Sequence, residues 1–107
     1  MHIDNRVSDN VVVVRPQGRL TVETSRTFVH HFFRLIEAGH THFVLDLAEV
    51  PSIDSIGLGA IVRAHTAARR YGGELKVANA AEGDRYLLSI TRLLTAVDTG
   101  HLDEERT

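Results

Sequence analysis

The stretch Pro51-Ser52-Ile53-Asp54-Ser55-Ile56-Gly57-Leu58-Gly59 decides how this chain is read. It lies between an apolar run, His42-Phe43-Val44-Leu45-Asp46-Leu47, and a helical pattern running from about Ile56 to Tyr71. A strand and a helix therefore meet at a hydroxyl, an acid and two glycines. The first turn of a helix has unpaired backbone N–H groups and a partial positive charge, so it favours a short acceptor side chain. It equally favours an anion carried on that side chain. Two readings of Ser55 follow: a plain N-cap, or a switch hydroxyl that the fold presents to a protein partner. Asp54 either takes part in that switch or only stabilises the turn.

Upstream, Val11 to Val14 is a continuous β-branched run preceded by the turn-prone Ser8-Asp9-Asn10. A strand apolar at every position is expected to be covered on both faces. The segment from Ile3 to Val7 can pair with it as an antiparallel hairpin through Asp9-Asn10. Pro16 cannot donate to a ladder, which puts it at a strand end or a bulge. Gly18-Arg19-Leu20 makes a corner, and Thr21, Thr24 or Ser25 can cap the next helix. Phe28, Val29, Phe32, Phe33 and Ile36 form one wide apolar stripe read as core, with His30, His31 and Arg34 on the remaining face. Gly39 stands where a helix C′ residue belongs.

Downstream, the second helix carries Leu58, Ile61, Val62, His65 and Ala68 along its expected inner side, with His65 as a hydrogen-bonded core histidine. Gly72-Gly73 closes it, and Glu74 to Ala78 alternates as a strand does. Residues 82 to 91 read as a short helix with Tyr86, Leu87 and Ile90 inward, and Leu93 to Val97 as a last strand. The expectation is a single α/β domain of order ββαβαβαβ, with a mixed, mostly parallel sheet and helices packed on it. Its core covers about residues 3–98, and the polar tail 99–107 is frayed or disordered. In such sheets function gathers beyond the carboxyl ends of the strands, where the Ser55 loop leaves.

The totals exclude several classes. The 107 residues, 43% apolar and 24% charged, describe an ordinary small globular domain. A formal charge of −2 argues against binding nucleic acid through a basic surface, and a solvated helix end accounts for Arg69-Arg70. Without cysteine there is no disulfide, thiolate chemistry or Cys-based zinc site, which fits a reducing compartment. No apolar run approaches the ~20 residues of a membrane span, and the N-terminus lacks a secretory pattern, so the expectation is a cytoplasmic protein with no membrane insertion.

The chain resembles the STAS family, typified by bacterial anti-anti-sigma factors, over about Asn10 to Asp98. The marks are Gly18-Arg19-Leu20-Thr21, Phe43-Val44-Leu45-Asp46-Leu47, Ile53-Asp54-Ser55-Ile56-Gly57-Leu58-Gly59, Tyr71-Gly72-Gly73-Glu74-Leu75 and Tyr86-Leu87-Leu88-Ser89-Ile90-Thr91. The resemblance implies partner switching. An anti-sigma factor that is also an ATP-dependent serine kinase binds the unphosphorylated protein, phosphorylation ends the binding, and a metal-dependent serine phosphatase restores it. By motif position the phosphoacceptor is Ser55. Asp54, Ile56, Gly57, Leu58, Gly59 and Thr21 are the implied partner-binding residues. Two positions depart from the family: Ile56 where a second serine often follows, and Thr21 where many members carry an acid. They motivate the alternative of a STAS accessory subunit, in a lipid-transport ATPase or a stress-sensing scaffold, with Ser55 an interface contact only.

The charge arithmetic suits a switch without the family name, since a phosphate adds about −1.5 to −2 beside Asp54 and any acidic partner surface would be repelled. Gly57 and its neighbours are expected to offer it N–H groups. A third reading, a nucleotide-binding module, is invited by Gly57-x-Gly59, but Val62 stands where a third glycine is needed and the loop is long. Close helix–sheet packing is the better use of those glycines. Seven histidines invite a metal, yet His30, His31, His40 and His42 fall on a helix face, in a turn and at a strand start, with no zinc spacing. Ser55 has no histidine and acid at an interpretable spacing, and no carboxylate pair stands out. No enzyme activity, metal or cofactor is expected.

Overall fold

A computed structural model of the chain describes residues 1–85. The strands are β1 (His2–Ser8), β2 (Val11–Gln17), β3 (His42–Asp46) and β4 (Glu74–Ala78), and the helices are α1 (Ser25–Glu37) and α2 (Ser55–Arg70). They form one four-stranded sheet of order β1-β2-β3-β4. β1 pairs antiparallel with β2 through the Asp9-Asn10 turn, where Asp9 takes φ 56°; β2, β3 and β4 run parallel. The expected 82–91 helix opens at residues 82–85, with Arg85 N–H donating to Ala81 C=O. Its inward Tyr86, Leu87 and Ile90, the strand Leu93 to Val97 and the tail 99–107 lie outside the described residues.

The strand order advances in one direction, so two right-handed crossovers put α1 and α2 on the same face of the sheet. They pack against each other there, and α2 also against β4. Val12 and Val14 of β2, Phe43 and Leu45 of β3, and Leu75 and Val77 of β4 alternate toward this layer and are fully buried with Phe28, Val29 and Phe32 of α1. The other face is covered less completely than a wholly apolar β2 implies: Val11, Val13 and Val44 are half-buried. Pro16 lies inside β2 after all. Pairing to β3 ends at Val14↔Leu45, so no β3 ladder bond is asked of it.

Helix α1 ends as expected, in a Schellman arrangement: Gly39 at φ 104° donates to Ile36 C=O at 2.9 Å and His40 N–H to Leu35 C=O at 3.0 Å. Its apolar stripe is narrower than expected, with Phe33 turned outward and 41% exposed. The inner face of α2 is also rotated from the expected one. Gly57, Ala60, Ile61, Ala64, Ala67 and Ala68 are buried, whereas Val62 is exposed and Leu58 and His65 are half-buried. Small side chains let the helix axis come close to the sheet and to α1, and this outweighs the larger area that Leu58 and Val62 would bury. His65 lacks the partner expected of it, because its buried Nδ1 accepts and donates no hydrogen bond among the described residues.

Candidate functional site

The site is built where the carboxyl ends of β2 and β3 release the chain. Leu20 and Ile53 form an isolated parallel bridge that carries the β2–β3 pairing direction past both strands. Leu20 N–H donates to Ser52 C=O at 3.1 Å, and Asp54 N–H returns to Leu20 C=O at 3.2 Å. Both loops are thereby set side by side, with Leu20 and Ile53 buried beneath them. Arg19 Nε donates to Ser52 Oγ at 3.3 Å on the outer side.

Asp54 is the N-cap of α2. Its backbone is extended, and its Oδ1 accepts the Gly57 N–H at 2.7 Å. Its Oδ2 accepts the Val22 N–H at 3.3 Å, so one carboxylate ties the turn before α1 to the start of α2. Ser55 is therefore the first residue inside the helix and not its cap. It is exposed, and its hydroxyl makes no hydrogen bond among the described residues. The first intrahelical bond runs from Leu58 N–H to Asp54 C=O at 2.9 Å. The N–H groups of Ser55 and Ile56 stand ahead of it, where a helix offers its unpaired donors. The Gly57 N–H expected to be free for an anion is already occupied by Asp54.

Gly57 is needed for a steric reason. A Cβ there would run into the backbone carbonyl of Leu20, so the close approach is between α2 and the Gly18–Leu20 corner, not the sheet. Gly59 has open space around its missing Cβ, which corrects the packing role expected of it. Ile56 is 50% exposed, Leu58 is half-buried against the core, and Thr21 is half-buried in the turn before α1. The Thr21 carbonyl accepts from Thr24 and Ser25 N–H, and Thr24, at the N-cap position of α1, spends its hydroxyl on Arg19 C=O at 2.8 Å.

Ser55, Asp54, Ile56 and the Thr21 turn thus converge at one end of the molecule. Two participants were missed. Val22, held by Asp54, is 63% exposed and sets a second apolar side chain at this end. Its signal was a lone aliphatic residue among the polar Thr21, Glu23 and Thr24. Asp46, at the end of β3, is buried and accepts from Arg15 at 3.1 Å, Asn79 Nδ2 at 3.0 Å and Ala48 N–H at 3.0 Å. It fixes the strand end from which the Ser55 loop departs. Among the described residues, no three metal-ligating side chains converge and no helix is long and apolar enough to cross a membrane.

The STAS domain family profile matches residues 2–105. A candidate anti-sigma factor antagonist of Thermotoga maritima is 30% identical over 89 residues, 82% of this chain and 79% of the relative, and its Thermotoga neapolitana homologue matches equally. The crystal structure of the Thermotoga maritima protein superposes with a TM-score of 0.80 at 29% identity, covering 89% of this chain and 82% of that one. The Bacillus cell-fate determinant SpoIIAA, solved in a phosphorylated form, shares the fold, with a TM-score of 0.73 at 18% identity over 98% of this chain and all of SpoIIAA.

Proposed function

The chain belongs to the STAS domain family, and on that footing we propose that it is an anti-sigma factor antagonist switched by phosphorylation of Ser55. In this reading it is a regulator and not an enzyme. Its partner is an anti-sigma factor that also serves as an ATP-dependent serine kinase, and a metal-dependent serine phosphatase reverses the modification. The unphosphorylated chain holds the anti-sigma factor and so frees the sigma factor. The observation that carries the reading is the division of labour at the start of α2: Asp54 caps the helix, and the neighbouring Ser55 hydroxyl is exposed with no structural task.

In the transfer step the Ser55 Oγ attacks the γ-phosphorus of ATP, the bond from that phosphorus to the β–γ bridging oxygen breaks, and ADP departs. The hydroxyl proton goes to a base on the kinase. The product gains about −1.5 to −2 of charge at the positive end of a helix, beside the unpaired N–H groups of Ser55 and Ile56. The free protein tolerates the group there. In the complex it would lie between two exposed apolar side chains, Val22 and Ile56, and beside the Asp54 carboxylate. Burying that charge against a partner without a compensating cation is strongly unfavourable. Tolerance when free and rejection when bound is the property a partner switch needs.

Ile56 in place of a second serine supports a more apolar contact. Thr21 in place of an acid leaves Asp54 as the carboxylate that ties the two loops together. The test is titration calorimetry of the anti-sigma factor of the native cells against the wild type and two variants. Ser55→Ala is expected to keep wild-type affinity and Ser55→Asp to lose at least tenfold. Equal affinities for the two variants would instead make Ser55 a bystander.

A further inference from the structure

Three recesses run in series over the face shared by α1 and α2. The first, of about 500 Å³, opens beside the candidate site between Val22, Arg26, His30 and Arg63. The second, of about 280 Å³, shares Arg63 with the first and continues past Phe33 and Val62 to Arg70. The third, also of about 280 Å³, shares Phe33 and Arg70 with the second and ends at Tyr71. They make one groove that starts at Val22, whose backbone N–H is held by Asp54, the residue before Ser55, and follows α2 to its end. A 16-residue helix is about 24 Å long, which is the reach of a partner helix of roughly four turns.

The lining combines two features. Val22, Phe33, Val62 and Tyr71 are its exposed large apolar side chains. Arg26, Arg63 and Arg70 alternate with them, all three are exposed, and none makes an ion pair among the described residues. Among the described residues, the acid lining the recesses is Glu37, at the far end. In a chain of net charge −2 this is a local positive stripe on an otherwise acidic molecule. Interleaved cations and apolar groups fit a helix with acids flanking an apolar seam. The total charge and the apolar content disfavour a nucleic-acid backbone.

We infer that the α1–α2 groove is a docking surface for an acidic amphipathic helix of the protein partner, entered at the Val22 end beside Ser55. The inference rests on the reading of this chain as a partner-switching protein and adds the chemistry of what it grips. A phosphate on Ser55 then lies at the mouth of the groove and repels the acids of the incoming helix.

The test uses the full chain, isotope-labelled, and synthetic 16-residue helical peptides with leucine at three- and four-residue spacing and glutamate or lysine at the flanking positions. The glutamate peptide is expected to bind with shifts centred on Val22, Phe33 and Arg63, and the lysine peptide at least tenfold more weakly. Arg63→Glu with Arg70→Glu is expected to reverse that preference, and the milder Arg63→Gln with Arg70→Gln to abolish it should the reversal fail to fold. Glutamate-peptide binding that is absent, centred elsewhere or indifferent to these substitutions would overturn the inference, as would stronger binding to vesicles containing phosphatidylserine. No kinase is present, so the outcome does not depend on Ser55 being a phosphoacceptor.

Discussion

The Asp54 carboxylate accepts the Gly57 backbone N–H at 2.7 Å, and this bond assigns the capping of α2 to Asp54 and frees the hydroxyl next to it. The two candidate residues are adjacent in sequence but do different work. Asp54→Ala removes a cap bond and the tether to Val22, and is expected to destabilise the fold by about 1–2 kcal/mol. Ser55→Ala should stay within ~0.5 kcal/mol of the wild type. Urea denaturation of the two variants checks the difference.

The two glycines of the α2 start should respond oppositely to a methyl group. Gly57→Ala drives a Cβ into the Leu20 carbonyl, a backbone atom that cannot rotate away, and is expected to cost roughly 1–3 kcal/mol. Gly59→Ala meets open space in a helix interior and is expected to add about 0.5–1 kcal/mol. Thermal melts of the pair would show one lowered and one raised Tm.

The elements were legible because their signals are local. The β-branched Val11 to Val14 run, the Asp9-Asn10 turn, Gly39 and the Gly72-Gly73 stop each mark a strand, turn or helix end by backbone preference alone. The second helix, read from Ile56 to Tyr71, runs from Ser55 to Arg70. Facing was harder to read. Side-chain size pointed Leu58, Val62 and His65 inward on α2, but contact geometry chose Gly57, Ala60 and Ala64, because close approach excludes bulk. Phe33 was misplaced for a related reason: Phe28 and Phe32 already fill the space under α1, with ring centroids 5.0 Å apart.

At the site, the Ser55 loop was legible as a strand-to-helix junction, whereas its hydrogen bonds were not. Asp54 and Ser55 are both good caps, and only the extended backbone at Asp54 decides between them. Val22 escaped a reading by periodicity, which says nothing about exposure within a turn; only its aliphatic side chain among polar neighbours marked it.

Acid should weaken the fold through His31. Its ring lies 2.7 Å from Asn5 Oδ1, a bond the ring N–H donates, and burial, with the nearby Arg34 charge adding to it, lowers its pKa below the ordinary 6.5. The unfolded chain therefore binds the proton more readily than the folded one. Stability from this group is full above about pH 6.5 and is lost as pH falls through the lower folded-state value. Urea midpoints between pH 7.5 and 5 should drop for the wild type and flatten for His31→Gln.

The exposed apolar pair at the site should matter for binding and not for folding. Val22→Ser and Ile56→Ser are each expected to leave stability within ~0.5 kcal/mol and to weaken anti-sigma factor binding by tenfold or more. Calorimetry beside urea melts separates the two effects.

Phosphopeptide mapping by mass spectrometry, on the protein incubated with ATP and extract of its native cells, reaches the central claim most directly. The account predicts a single added phosphate on the peptide containing Ser55, absent from Ser55→Ala and removed by a metal-dependent phosphatase. Phosphate incorporated elsewhere with Ser55 unmodified would contradict it.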